Sequence, residues 1–162
     1  MHIDLQKASM EEKFVLRNLM ELCQHDYSEF NGEDVGAFGL FGYTYLDHYW
    51  TDPDRFPFLV RVDERIAGFA LVRRREAEPG FSLAEFFVLR KYRGQGVGQI
   101  IAHRIFDVFP GRWQVEQEAG NRAARIFWTK VIARYTNNNY HEEVTERGFA
   151  QTFSSRSSPG NQ

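Results

Sequence analysis

Four apolar residues, Phe86-Phe-Val-Leu89, run into three cations within the next four positions, Arg90, Lys91 and Arg93, and then into Gly94, Gly96 and Gly98. The apolar run is too short for a helix and rich in strand formers. Beyond the glycines, Val97, Ile100, Ile101, Ile105, Val108 and Phe109 recur at helical spacing up to Pro110-Gly111. The order is therefore strand, basic turn, glycine loop, helix. Glycines directly ahead of a helix let the backbone come close to a ligand. The first N–H groups of the helix and its dipole add positive potential at the same point. This stretch is an anion cradle, and phosphate is the anion it suits.

Three phosphate-binding patterns can be tested on it. A Walker loop requires Gly-Lys-Ser/Thr at its end, and no Lys follows Gly98. A dinucleotide unit requires G-x-G-x-x-G, whereas the loop here is G-x-G-x-G. Glu116 and Glu118 do lie about 20 residues on, where a ribose-binding acid belongs. That keeps a nicotinamide-dependent enzyme as an alternative, although too little chain follows for the second half of a doubly wound sheet. A plain tight turn is the remaining structural reading.

The third pattern is a resemblance. Arg93-Gly-Gln-Gly96-Val-Gly98 resembles the R/Q-x-x-G-x-G/A signature of the GCN5-related N-acetyltransferases (GNAT). In that family the loop holds the pyrophosphate of acetyl-coenzyme A. Asn121-Arg-Ala-Ala124-Arg-Ile-Phe127-Trp128 is similar to the family's N-x-x-A-x-x-F-Y segment. The likeness spans roughly residues 56–153. It implies a mixed α/β fold with a central, mostly antiparallel sheet flanked by helices. It also implies direct transfer of an acetyl group from acetyl-CoA to an amine.

The resemblance assigns roles residue by residue. Arg93 and the backbone of Gly94, Gln95, Gly96, Val97, Gly98 and Gln99 hold the coenzyme, with Asn121, Phe127 and Trp128 contributing from the later motif. The main chain of Phe87 and Val88 pairs with the pantetheine arm, because the sheet of the family splays there. The N–H of Val88 donates to the developing oxyanion. Glu85 is the candidate base. A base working near neutrality needs a raised pKa, which burial beside Phe86 and Phe87 would supply. The family's acid, a tyrosine, falls on Trp128, whose indole N–H cannot usefully give up a proton. Either the thiolate leaves unprotonated, or Tyr135 or Tyr140 substitutes, or the protein is a non-catalytic acyl-CoA sensor. No metal is implied.

Composition bounds the rest. With 162 residues the chain suits a single domain, expected over residues 1–153, with a Ser-rich tail from 154 to 162. A formal net charge of −2 gives no reason to expect nucleic acid or a membrane as partner. The first residues lack a signal-peptide apolar region, and no apolar run approaches spanning length. The single cysteine, Cys23, suits a reducing cytoplasm and reads as an inert packing residue in a helix. Oligomeric state is left open, a homodimer included.

Along the chain, residues 2–7 suit a strand and Ser9-Met-Glu-Glu12 has the form of a capping box. Val15, Leu16, Leu19, Met20, Leu22 and Cys23 give the next helix an apolar face. From residue 18 to 54 there is no Lys or Arg, while eight carboxylates alternate with Tyr27, Phe30, Phe38, Phe41, Tyr43, Tyr45, Tyr49 and Trp50. Such a segment can recognise a small cationic amine, or it can be an aromatic mini-core under an acidic face. Residues 56–62 and 66–72 read as a hairpin around Asp63-Glu-Arg65. Arg73-Arg-Arg75 reads as a strand end or a second phosphate grip. Strands follow at 81–89 and 113–118, a helix opens at Gly120-Asn121, Asn137-Asn-Asn139 turns the chain, and a terminal strand pair lies over 140–146 and 149–154.

Overall fold

The computed structural model describes residues 1–156. β1 (Ile3–Lys7) leads through a short 3-10 turn (Met10–Glu12) into α1 (Lys13–Asn31). After a long connection come α2 (His48–Thr51), β2 (Arg55–Val62), β3 (Arg65–Arg74) and β4 (Phe81–Val88). A second 3-10 turn (Arg90–Tyr92) precedes α3 (Val97–Val108), β5 (Gly111–Glu118), α4 (Arg122–Thr136), β6 (His141–Val144) and β7 (Gly148–Ser155). The strands hydrogen-bond in the order β1-β2-β3-β4-β5-β7-β6. β1 with β2, β5 with β7, and β6 with β7 are antiparallel, whereas β4 meets β5 in parallel at Phe81–Trp113 and Ser82–Gln114. The expected mixed α/β fold with a mostly antiparallel sheet is present, and the described residues do not build a doubly wound parallel sheet.

The chain forms two compact units. The first comprises Met1–Val72 with Ala84–Leu89. Its core sets Leu16, Leu19, Met20 and Cys23 of α1 against Leu59, Phe69, Leu71 and Phe87. Leu22, expected on the buried face of α1, is instead exposed, because it lies about 100° round the helix from Cys23. The capping box forms, with the Ser9 N–H donating to Glu12 at 3.1 Å. The β2–β3 hairpin turns on two residues, not three: Asp63 and Glu64 both have positive φ (48° and 68°), and Arg65 already belongs to β3. Six consecutive buried residues in the middle of β3 mark a strand covered on both faces.

The second unit comprises Arg73–Leu83 and the chain from Arg90 onward. Phe106 of α3 is its hub, touching Trp113, Trp128, Tyr135 and Phe153 at ring-centre distances of 5.0, 6.5, 5.1 and 4.8 Å. Asn137 and Asn138, both with positive φ, end α4 and make the expected turn. Ser154 and Ser155 of the expected tail are the last residues of β7, and the Ser155 hydroxyl donates to Phe109 O at 3.0 Å. Residues 157–162 of that tail lie outside the described residues.

Candidate active site

The glycine loop is built by local geometry. Tyr92 is buried and anchors the basic turn, and the Arg93 N–H closes that turn on Arg90 O at 3.1 Å. Gly94 and Gly96 then adopt left-handed conformations, φ 75° and 81°. Gly96 is the N-cap of α3, and its carbonyl receives the Ile100 N–H at 3.1 Å. The amides of Val97, Gly98 and Gln99 precede that first helical bond, so they face out of the helix end. A Cβ placed on Gly94 or Gly96 would meet nothing within 4 Å. Backbone N–H groups, a helix dipole, open space and exposed Arg93 thus coincide. These residues fit a pyrophosphate.

The structure refines which parts of the loop are available. Gln95 donates its amide to Lys91 O at 2.9 Å, and Gln99 accepts from Arg134 at 2.7 Å. Val97 is buried. These three have main chain to offer, while their side chains serve the fold. Gly98 lies within α3, where it keeps the first turn slim. The Arg73-Arg-Arg75 run is spoken for locally: Arg73 donates to Ser82 at 3.2 Å, Arg74 stacks over Phe81 at 4.9 Å, and Arg75 pairs with Glu78 at 3.0 Å.

In the first unit, β4 carries Glu85, Phe87 and Val88. Phe87 is buried against Phe69, ring centres 5.9 Å apart. Behind it, a Cβ on Gly68 of β3 would stand 2.1 Å from Phe87 O and 3.1 Å from the Val88 Cα. Only a glycine admits that approach. A lone glycine inside an apolar strand is a recognised sign of close backbone approach, and sequence reasoning passed over it. Glu85 is half-buried and lies beside Cys23, whose Sγ is 3.9 Å from Glu85 Oε2.

The residues expected from the later motif are placed in the second unit by α4. The Asn121 side chain accepts the Ala124 N–H at 3.1 Å, capping the helix. Phe127 is half-buried and meets Trp128 edge-on at 4.9 Å. Trp128 is buried in the Phe106 cluster. Tyr135, one candidate for the acid, donates to Asp107 Oδ1 at 2.7 Å. Burial first, and that carboxylate second, push its phenol up well beyond the ordinary tyrosine range. A phenol so held is a poor proton source. It also lines a cavity of about 400 Å³ with Asp107, Arg112, Asn139, His141 and Arg156, and none of the expected coenzyme residues lines that cavity.

The aromatic, acidic segment divides. Tyr49 and Leu46 are core, Tyr27, Tyr43 and Trp50 pack against it, and Trp50 donates to Ala8 O at 3.0 Å. Phe38, Tyr45 and Phe30 are exposed, Phe38 by 95%. Glu21 accepts the N–H groups of Phe41 and Gly42 at 2.7 and 3.2 Å, and Gln24 donates to Gly42 O at 2.7 Å. One of the eight carboxylates therefore fixes the loop, an assignment no spacing rule yields. Lys13 pairs with another, Asp47.

The sheet is mostly antiparallel, and in the second unit the glycine loop opens onto the N-terminus of α3, as expected of an acetyltransferase fold. The Acetyltransferase (GNAT) family model matches residues 17–132, and the chain belongs to that family. It is 26% identical over 129 residues to N-alpha-acetyltransferase 30 of Schizosaccharomyces pombe, covering 74% of this chain and 79% of that protein. Among solved structures it resembles an acetyltransferase from Thermus thermophilus, with TM-score 0.70, 14% identity, and 94% and 95% of the two chains covered. It also resembles a spermidine N-acetyltransferase from Vibrio cholerae, solved with CoA and spermine, with TM-score 0.64, 12% identity, and 94% and 95% covered. At these identities the structural likeness speaks for the fold. Among the described residues no helix is long and apolar enough to cross a membrane.

Proposed function

We propose that residues 1–153 act as one acetyltransferase domain in the cytoplasm, moving an acetyl group from acetyl-CoA to the amine of a small cationic acceptor by direct transfer. The observation that carries this reading is the pair of left-handed glycines, Gly94 and Gly96, with open space beside them at the N-terminus of α3. Coenzyme pyrophosphate is held by Arg93 and the amides of Gly94 through Gln99. Asn121, Phe127 and Trp128 shape the wall that α4 contributes. The main chain of Phe87 and Val88 aligns the pantetheine arm, and the Val88 N–H steadies the oxyanion.

Glu85 removes a proton from the acceptor ammonium, so that a neutral amine attacks the thioester carbonyl. The C–N bond forms and the C–S bond breaks; the attacking nitrogen gives its second proton to water, and the sulfur leaves as thiolate and takes a proton from solvent. The acidic segment supports a cationic acceptor, because residues 18–54 supply carboxylates and aromatic faces without a lysine or arginine. The spermine of the Vibrio structure is of the same chemical kind.

One observation favours a second reading, an acyl-CoA sensor. The position of the family's acid is a buried tryptophan, and the phenol of Tyr135 is committed to Asp107. Two assays separate the readings. Thermal shift with acetyl-CoA, CoA and NAD tests binding, and thiol release across an amine panel tests turnover. Stabilisation by acetyl-CoA with thiol release supports the enzyme. Stabilisation without release across the panel supports the sensor, and stabilisation by NAD alone overturns both.

A further inference from the structure

Cys23 and Tyr27 stand one turn apart on the face of α1 that enters the core of the first unit. The Cys23 thiol is fully buried, and its Sγ lies 3.9 Å from Glu85 Oε2, long by oxygen standards but within reach of an S–H donor. Burial chiefly, then the charges of Cys23 and Glu85, push the Tyr27 phenol well above its ordinary range, and a hydrogen bond to Cys23 adds to the effect. The Cys23 S–H donates to the Glu85 carboxylate, and the Tyr27 phenol is buried next to that pair.

We propose that Cys23 is a positioning residue for Glu85, its thiol orienting the carboxylate for proton removal. This rests on the reading of Glu85 as the base. The choice of donor makes physical sense. A thiol is a weak donor, so it fixes a rotamer and lowers the carboxyl less than a cation would. Around Tyr27 the titratable groups are Cys23, Glu85 and Asp26. From β3 the same cluster presents Phe69 and Leu71, and from α2 it presents Tyr49. The chain has one cysteine, and sequence alone gave it no role beyond packing.

The test uses the full chain, acetyl-CoA and the best amine of the panel, with kcat and the pH profile of kcat/KM measured for Cys23→Ala, Cys23→Ser and Tyr27→Phe. Loss of one weak hydrogen bond should lower kcat about threefold to tenfold in Cys23→Ala. The acid limb should move to higher pH, since the ionised carboxylate has lost a donor. Cys23→Ser, which restores a donor, should recover both. Tyr27→Phe, which removes a single oxygen beside the pair, is the control and should move the limb less than Cys23→Ala does. In a Glu85→Gln background Cys23→Ala should have no further effect on rate.

Equal losses in Ala and Ser with an unmoved acid limb would make Cys23 a packing residue and overturn the proposal while leaving Glu85 as base. The same loss from Cys23→Ala with and without the Glu85 carboxylate would do so too. Full activity in Glu85→Gln alone, or no turnover with any amine, removes the base reading and this inference with it.

Discussion

Gly94 and Gly96 each combine two properties that a side chain would separate: a left-handed backbone and an unfilled volume next to it. Gly96→Glu puts a carboxylate into that volume, and acetyl-CoA binding should fall below detection while the protein stays folded. Calorimetry showing unchanged affinity in a folded variant would reduce the loop to a turn. Gly96→Asn is the informative control, because asparagine tolerates positive φ; it should leave the fold intact and still weaken binding. At Glu85, substitution by Gln should lower turnover about 10² to 10⁴-fold, the usual worth of positioned proton transfer. Coenzyme affinity should barely change, and the loss should shrink as pH rises and the amine becomes neutral unaided. Steady-state rates across pH decide. Trp128→Tyr tests the displaced acid. Trp128 sits in the Phe106 cluster, so the smaller ring should leave a gap and a hydroxyl seeking a partner. We expect a loss of about 1–3 kcal/mol in a melting experiment with no gain in rate; a clear gain in rate would place the indole at the thioester instead.

Among the elements, β4 depends closely on its neighbour, because β3 comes so close behind it. In Gly68→Ala the new Cβ would fall 2.1 Å from Phe87 O, and the obstacle is backbone, which cannot swing away. Forcing the two strands apart should cost about 1–3 kcal/mol, and it should shift the Phe87 and Val88 peptides as well. Stability in denaturant and turnover of the same variant should therefore fall together. Two ion pairs tie other elements down. Arg61 of β2 meets Glu12 at 2.7 Å, and Arg125 of α4 meets Glu142 of the edge strand β6. Hydrogen bonding to these arginines holds both carboxyls below the usual glutamate range. A depressed carboxyl gives its full stability above the unfolded-state value near 4.5 and loses it as pH falls through the folded one. Melting temperature should consequently drop on acidification below about pH 4.5. Glu12→Gln and Glu142→Gln should each flatten that drop; an unchanged slope would mean the pairs contribute nothing.

For the molecule as a whole, ligand binding is read as stability. Acetyl-CoA at a hundredfold excess over its dissociation constant should add about 2.7 kcal/mol. For a chain of this size that is a rise in Tm of roughly 5–10 °C. NAD should give no rise, since β5 runs antiparallel to β7 along eight residue pairs and no second half-sheet of a dinucleotide fold is built among the described residues. Much of the architecture was legible locally. The Ser9 cap, the glycine loop, the Asn121 cap and the Asn137 turn rest on backbone conformations that a few adjacent residues specify, so the chain announces them without reference to its surroundings. The hairpin was placed correctly but one residue too wide, because two positive-φ residues suffice for its turn. The order of elements, the glycine loop at the start of α3 and the presence of a strand carboxylate are therefore written in the chain itself. Contacts between residues far apart in the chain had to wait for the folded molecule. Folding alone set Cys23 beside Glu85, 62 positions away. It alone let Gly68 admit Phe87, made Glu21 of the acidic segment a clamp on Phe41 and Gly42, and buried Trp128 against Phe106. Periodicity records which face of an element is apolar, whereas the neighbour that meets that face is chosen by packing.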